Sequence, residues 1–511
     1  MESFEDFRKS GTFTVAAGTE VQGDLILKGS KTTLDLFSKD FFSTHDIQDG
    51  CILGVLHDRT KVSLINCITT QGPGSGSRGG EHYHFSRVFP HFVIFGDEHI
   101  TATDRKIANL SFHVDDAATL FYDFDAFGDV IDAGPHMARI LDEESRRYGR
   151  DVTVGDHPML FYFTGKYEIF KAETVLGTVT AEHRPSFTMP GPHGIKLDNK
   201  IFVNIAFKER ATIDEAIAAI YTLLRFLEII AGRPQAVLRL VFMIPGPEDS
   251  PRILNVYGSM LPSHDSDDTE RTPHPADLPI QAARTPEYFA SVLTTWLARD
   301  HEWRSARFRF SSAFSLQRRF NIDRLVGAAN MFDILPALAV PADVPLTEGL
   351  KEAKRVCREV FEALPSSPER DSVLNALDRL GRASLKHKAL KHKIRARAKL
   401  ILDRIPSRFP ELGLVIDEAV NCRNHFVHGS KAKMDYTVEF DQVIFFTEAL
   451  EFIFAASDLI ECGWDIEQWS KQDSAMSHPF DRFRLDYELR LKDLKRALVA
   501  AKPSEAPPTV P

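Results

Sequence analysis

The stretch Glu411-Leu412-Gly413-Leu414-Val415-Ile416-Asp417-Glu418-Ala419-Val420-Asn421-Cys422-Arg423-Asn424-His425-Phe426-Val427-His428-Gly429 decides how the back of this 511-residue chain folds. At about 100° per residue, Leu412, Val415, Ile416, Ala419, Val420, Cys422, Phe426 and Val427 fall on one arc of a helix. Asp417, Glu418, Asn421, Asn424, His425 and His428 fall on the other, and Gly429 stops the helix. Arg423 breaks the pattern, because it lies near the centre of the apolar arc. A guanidinium facing a core or an interface is costly unless it is paired or serves a ligand. Two readings stay open at this point: a structural ion pair with an acid on a neighbouring helix, or a cation kept for an anionic ligand. His428 divides likewise between a helix-terminal cap and a proton-transfer group. His425 divides between a solvated side chain and a secondary catalytic role, and Asn424 is equally ambiguous.

Helical periodicity surrounds this segment from residue 287 to about residue 500, punctuated at Pro341, Pro345, Pro365, Pro368, Pro406, Pro410 and Pro479. Upstream the pattern changes. Gly11-Thr12-Phe13-Thr14-Val15, Asp24-Leu25-Ile26-Leu27, Lys61-Val62-Ser63-Leu64-Ile65-Asn66-Cys67 and Phe92-Val93-Ile94-Phe95 are short, β-branched or aromatic runs separated by Gly, Asp and Asn. Met159-Leu160-Phe161-Tyr162-Phe163, 200–205 and 236–244 continue the strand pattern, and a helix is predicted from Ile213 to Ala231, capped by Thr212 and closed by Gly232. The fold class expected is therefore α+β multidomain. A β-rich sandwich or barrel-like region over residues 1–245, in one or two subdomains, precedes a linker at 246–286, an all-α bundle at 287–500 and a disordered tail at 501–511.

A net charge of -10 argues against a generic polyanion binder, but the charge is uneven. Residues 1–300 carry 29 Lys/Arg against 42 Asp/Glu, or -13, whereas residues 301–500 carry 32 against 29, or +3. The back half can thus approach a polyanion without strong repulsion. The run from Arg379 to Lys399 concentrates nine cations, Arg379, Arg382, Lys386, Lys388, Lys391, Lys393, Arg395, Arg397 and Lys399, along a helical stripe of Leu390, Ile394, Ala398 and Ile401. Such a face either holds phosphates or is simply solvated. It lacks the aromatic residues that would read bases by stacking.

Five cysteines, odd in number and far apart, indicate a reduced compartment. The first residues have no signal-peptide pattern, and the longest apolar runs are broken by Arg225 and Glu228 or by Glu448, Glu451 and Asp458. A cytoplasmic protein without membrane spans is expected. His82, His84 and His91 approach metal-ligand spacing, but no Cys or acid completes a set, so no metal or cofactor is expected. The glycine-rich 72–80 stretch lacks the ending of a P-loop and reads as a flexible loop.

Arg423-Asn424-His425-Phe426-Val427-His428 also resembles the R-x(4–6)-H signature of HEPN ribonucleases, with a polar residue directly after the arginine. A β-rich front followed by a helical domain ending in Arg-Asn-x-x-x-His is similar to the ApeA-like anti-phage HEPN proteins. The segments Ile65-Asn66-Cys67 and Leu316-Gln317-Arg318-Arg319-Phe320 add to the likeness. The resemblance implies a metal-independent endoribonuclease that arrests an infected cell. Arg423, Asn424 and His428 would be catalytic. Beside such a motif the basic run and the polar arc, read from the sequence itself, would supply RNA contacts from Lys386, Lys388, Lys391, Lys393, Arg395, Arg397 and His425. The resemblance implies a homodimer or higher homo-oligomer through the helical domain, and a phage-derived trigger sensed by the front. One geometric difficulty stands: on an ideal helix Arg423 and His428 diverge by about 140°. Two other readings remain, a non-catalytic HEPN binding or dimerisation module, and a β domain that binds carbohydrate or peptide with a helical assembly domain behind it.

Overall fold

The computed structural model describes residues 7–15, 18–44, 50–78, 81–189, 191–247, 250–262, 272–316, 319–340, 348–379 and 390–501. By internal contacts the chain divides into two compact units, one of residues 1–231 with 235–298, the other of 232–234 with 299–511.

The first unit opens with six strands: β1 (Phe7–Thr14), β2 (Glu20–Leu27), β3 (Thr33–Ser38), β4 (Ile52–Leu56), β5 (Lys61–Arg78) and β6 (Glu81–Gly96). Their antiparallel pairings run β5–β4–β1–β2–β3–β6, and β6 pairs back onto β5, so the six close into a ring. Alternation explains the inside of this barrel. Val21, Leu25 and Leu27 of β2 point inward with Phe13, Leu34, Leu36, Val62, Leu64 and Val93. The Phe13 ring fills the space beside Gly54, where an added Cβ would lie 2.4 Å from it. Closure also removes the free edges that an open sheet would expose.

The glycine-rich stretch is not a loop in its described part, because β5 continues through it to Arg78. Phe85 and Tyr83 on β6 lie across Gly74 and Gly76, where any Cβ would strike their rings at 2.4–2.5 Å. The glycines here make room for cross-strand aromatics, and the strand persists with an irregular register. His82 and His84 lie on β6 opposite Ser77 and Ser75, and His91 packs its ring against Phe89.

The remainder of the unit is an open antiparallel sheet. Its strands are β7 (Ile107–Val114), β10 (Glu168–Thr174), β11 (Gly177–Phe187), β12 (Leu197–Ala211), β13 (Val237–Ile244) and β14 (Arg252–Gly258), with a separate pair β8 (Phe127–Asp129) and β9 (Phe161–Phe163). The order is β10–β11–β12–β7–β13–β14, and β14 joins the barrel through β6. Short helices α1 (Ala117–Leu120) and α2 (Gly134–Tyr148) follow β7 and β8. Helix α3 (Ile213–Ala231) contacts β7 and β12 and buries thirteen of its residues. Its start is a reciprocal cap: the Glu215 N–H donates to Thr212 Oγ1, and the Thr212 N–H donates to Glu215 Oε2.

The segment read as linker contains β14, whose Leu254 and Val256 are buried while Ile253 is exposed and Asn255 and Tyr257 are half-buried. The alternation Ile253-Leu254-Asn255-Val256-Tyr257 is a strand signal that the surrounding Pro and Asp residues obscured. Residues 263–271 of that segment, and 502–511 of the tail, lie outside the described residues. Helix α4 (Pro286–Ala298) belongs by contact to the first unit, where Phe289 meets Phe121, Phe170 and Phe226. Periodicity identified α4 as a helix but carries no information about its packing partner.

The second unit is helical: α5 (Asp300–Phe314), α6 (Ile322–Asn330), α7 (Glu348–Glu362), α8 (Pro368–Arg379), α9 (Leu390–Leu402), α10 (Leu412–His428), α11 (Phe440–Glu461), α12 (Ile466–Ser470) and α13 (Pro479–Ala500). Helix α5 ends before Leu316, and Gln317 and Arg318 lie outside the described residues. Helix α11 is buried along most of its length, and α5, α6, α9, α10 and α13 pack around it. Its internal acids are met by arginines from three neighbours. Arg307 of α5 grips Asp458 at 2.8 and 3.1 Å, Arg324 of α6 grips Glu451 at 2.8 and 2.9 Å, and Arg397 of α9 reaches Glu461 at 2.8 Å. Among the described residues no helix is long and apolar enough to cross a membrane.

Candidate active site

Helix α10 positions the site. Leu412, Val415, Ile416, Ala419, Val420 and Cys422 are buried, as the apolar arc requires. Phe426 and Val427 depart from it at 38% and 42% exposure, because the last turn runs beyond the packed core. Gly429, with φ +66°, ends the helix in the left-handed conformation, and its N–H donates to His425 O at 3.0 Å.

That early stop lets Arg423 and His428 meet despite their angular separation. Arg423 Nη1 lies 2.9 Å from His428 Nε2 and donates at 3.1 Å to Asn424 Oδ1. A guanidinium carries only donors, so in this contact the imidazole nitrogen is the acceptor and offers a lone pair. From α6, Asn330 Oδ1 accepts from Arg423 Nη2 at 3.0 Å. Among the described residues the nearest carboxylate oxygen, Asp333 Oδ2, is 3.9 Å away on a side chain that is 42% exposed. The arginine is 14% exposed, and its Nε is buried without a hydrogen-bond partner. Neutral acceptors therefore make the close contacts to this cation, and Asp333 stands off at the outer limit of an ion pair. A phosphate, with oxygens spaced for two parallel N–H donors, suits such a group.

Asn330 and Asp333 were not singled out from the sequence. The available signal was the polar pair ending the apolar run Leu325-Val326-Gly327-Ala328-Ala329-Asn330-Met331-Phe332-Asp333, which has no motif to mark it. Asp333 also anchors α9: Lys393 Nζ donates to its backbone carbonyl at 3.1 Å and lies 3.6 Å from its carboxylate.

The cations of α9 divide by burial. Lys393 is 5% exposed and Arg397 2%, the latter hydrogen-bonded to Ser457 and paired with Glu461, so both are spent inside the unit rather than on a phosphate-binding face. Lys391 and Arg395 stand nearer solvent, reaching Asn421 at 3.0 Å and Asp417 at 2.6 Å on α10. Lys386 and Lys388 lie outside the described residues. His425 Nδ1 donates to Ser430 O at 2.8 Å, and its ring sits 5.5 Å from that of Tyr436, which gives it a role in holding the turn after α10. Burial pushes the Cys422 thiol up to about 12, which leaves no thiolate nucleophile on this helix near neutral pH.

Two family models match the chain. One, ApeA N-terminal domain 1, covers residues 8–296; the other, Apea-like HEPN, covers residues 326–468 and includes Asn330, Asp333, Arg423, Asn424 and His428. No curated protein and no solved structure matches it.

Proposed function

Since the chain belongs to the ApeA family, with its HEPN domain behind an ApeA N-terminal domain, we propose that it is a metal-independent endoribonuclease acting in the cytoplasm in anti-phage defence by abortive infection. The observation that carries this reading is the 2.9 Å contact between Arg423 Nη1 and His428 Nε2, with Asn330 on the guanidinium's other arm and the Asp333 carboxylate standing off at 3.9 Å.

The chemistry follows from what each group offers. A phosphodiester entering beside Arg423 competes with the imidazole for the guanidinium donors. Arg423 then holds the non-bridging oxygens, where negative charge develops as phosphorus becomes five-coordinate. The released His428 Nε2 lone pair accepts the proton of the 2′-hydroxyl while its oxygen attacks phosphorus. The P–O5′ bond breaks, and the leaving oxygen takes a proton from His428 or from the same histidine of a second copy. The products are a 2′,3′-cyclic phosphate and a 5′-hydroxyl. A homodimer through the HEPN domain would place two Arg–His pairs around one cleft, and the front unit would respond to a phage-derived trigger. Purified protein should cut RNA in excess EDTA, leaving those two end groups, and His428→Ala should remove the cuts while the fold persists. RNA left intact by the wild type, with assembly altered in the variant, would instead favour a binding module.

A further inference from the structure

A second cavity draws its lining from α10, from the turn that follows it and from α13. It measures about 760 Å³ and is lined by Glu418, Lys431, Lys433, Lys495, Leu498 and Val499, a size and mixture typical of sites for small organic groups. Its acid is unusual. Glu418 is only 6% exposed, Oε1 accepts from Asn421 Nδ2 at 3.2 Å, and Oε2 is buried without a hydrogen-bond partner. A carboxylate oxygen left so is costly, and an N–H donor from a ligand would satisfy it. Lys431 and Lys433 are exposed at the rim and follow His428 by three and five residues. Lys495 is tied to Glu411, which leaves those two lysines to meet an anion. Leu498 and Val499 supply an apolar wall for a flat ring. A donor edge against the carboxylate, a ring against aliphatic carbon and a phosphate at the lysines together describe a nucleotide.

Resting on the ribonuclease reading, we propose that this cavity is a nucleobase subsite that selects guanine in the RNA strand whose phosphodiester lies at Arg423 and His428. Guanine is the base that presents two adjacent N–H donors, N1–H and the 2-amino group, on its pairing edge, and one carboxylate can accept both. Glu418 precedes His428 by ten residues, about 15 Å along the helix, so the selected base lies a few nucleotides from the cut. Lys431 and Lys433 hold the strand between the two points.

The test uses full-length His428→Ala protein and short labelled pyrimidine RNAs carrying one guanosine, inosine or adenosine, read by fluorescence anisotropy. Guanosine RNA binds best, adenosine RNA at least about tenfold more weakly, and inosine, which lacks the 2-amino group, falls between. Glu418→Gln in the same background brings guanosine RNA down to the adenosine level. Should that variant fail to fold, Lys431→Ala/Lys433→Ala at the rim lowers the affinity of all three RNAs and flattens the salt dependence. Equal binding of the guanosine and adenosine RNAs overturns the subsite, as does a salt dependence unchanged in the rim variant. The two readings fail separately. Guanosine preference in a protein that cuts no RNA removes the nuclease and keeps the subsite, whereas cutting in EDTA without guanosine preference does the reverse.

Discussion

Asn330, the last residue of α6, accepts a hydrogen bond from Arg423 Nη2 at 3.0 Å, so a neutral amide on one helix aims the guanidinium of another. An amide positions the arginine without cancelling its charge, which a carboxylate at the same place would do. Asn330→Ala should therefore loosen the guanidinium rather than remove it. We expect kcat for RNA cleavage to fall roughly tenfold with KM little changed, against a loss of about 10²–10³ for Arg423→Ala, which removes the donor itself. Asn330→Asp should be as damaging as the alanine, because it neutralises the site. Initial rates on one RNA, with circular dichroism to confirm the fold, decide this. An Asn330→Asp enzyme with normal kcat would contradict the argument.

Arg324 and Glu451 form a two-point ion pair at 2.8 and 2.9 Å, with both side chains nearly inaccessible. Removing either partner strands the other charge in the core. Glu451→Ala should destabilise the helical unit by about 3–5 kcal/mol, whereas Arg324→Met/Glu451→Leu should recover most of that loss. Urea unfolding of the full chain, followed by the signal of the helical unit, measures both. Equal destabilisation in the single and double variants would show that packing, not charge, holds α6 to α11.

How much of this was legible beforehand depends on the kind of information involved. The helix carrying the site was readable to the residue, because Leu412 to Cys422 repeat at helical spacing and Gly429 provides a left-handed stop. Arg423 stood out as a cation on an apolar arc, and its position shows why: the arc faces α6, where Asn330 waits. Asn330 itself was invisible, since partnership across 93 residues leaves no local trace. The α9 cations mislead for a related reason. Lys393 and Arg397 look like Lys391 and Arg395 in sequence, and only the acids and carbonyls contributed by α11 and the α6 end separate buried from exposed. In the front, alternation announced strands, but ring closure through β6 and β5 depends on register. Gly74 and Gly76 read as a loop because the aromatics that use their missing side chains lie on another strand.

That division of α9 predicts two classes of variant. Arg395 is exposed and Lys391 half-buried, each with one polar contact to α10, so either alanine variant should keep the thermal midpoint nearly unchanged and reduce the salt dependence of RNA binding. Arg397→Ala leaves Glu461 with one fewer cation and Trp303 without the guanidinium 4.9 Å from its ring, so it should lower the thermal midpoint by several degrees. Scanning melts beside binding titrations at two salt concentrations separate the classes. A stable Arg397→Ala protein with a reduced salt slope would return that arginine to the RNA face.

The barrel supplies a pH dependence of its own. Hydrogen bonds from Ser10 and then Arg8 hold the Asp24 carboxyl below the usual carboxylate range, joining β1 to β2. Lys9 and Thr60 do the same for Asp58 beside β5. Both folded-state values are depressed, so these contacts stabilise the fold above the unfolded carboxylate value near pH 4 and are lost as pH falls through the folded values. Burial also lowers the His99, His113 and His183 imidazoles of the same unit, whose protons bind more readily on unfolding below about pH 6.5, so thermal midpoints should decline gently from pH 7 to about 5 and more steeply below about pH 4. Asp24→Asn cannot gain a proton there, so it should start lower at pH 7 and fall less steeply in acid. Parallel slopes for the wild type and the variant would mean that acid unfolding begins elsewhere in the molecule.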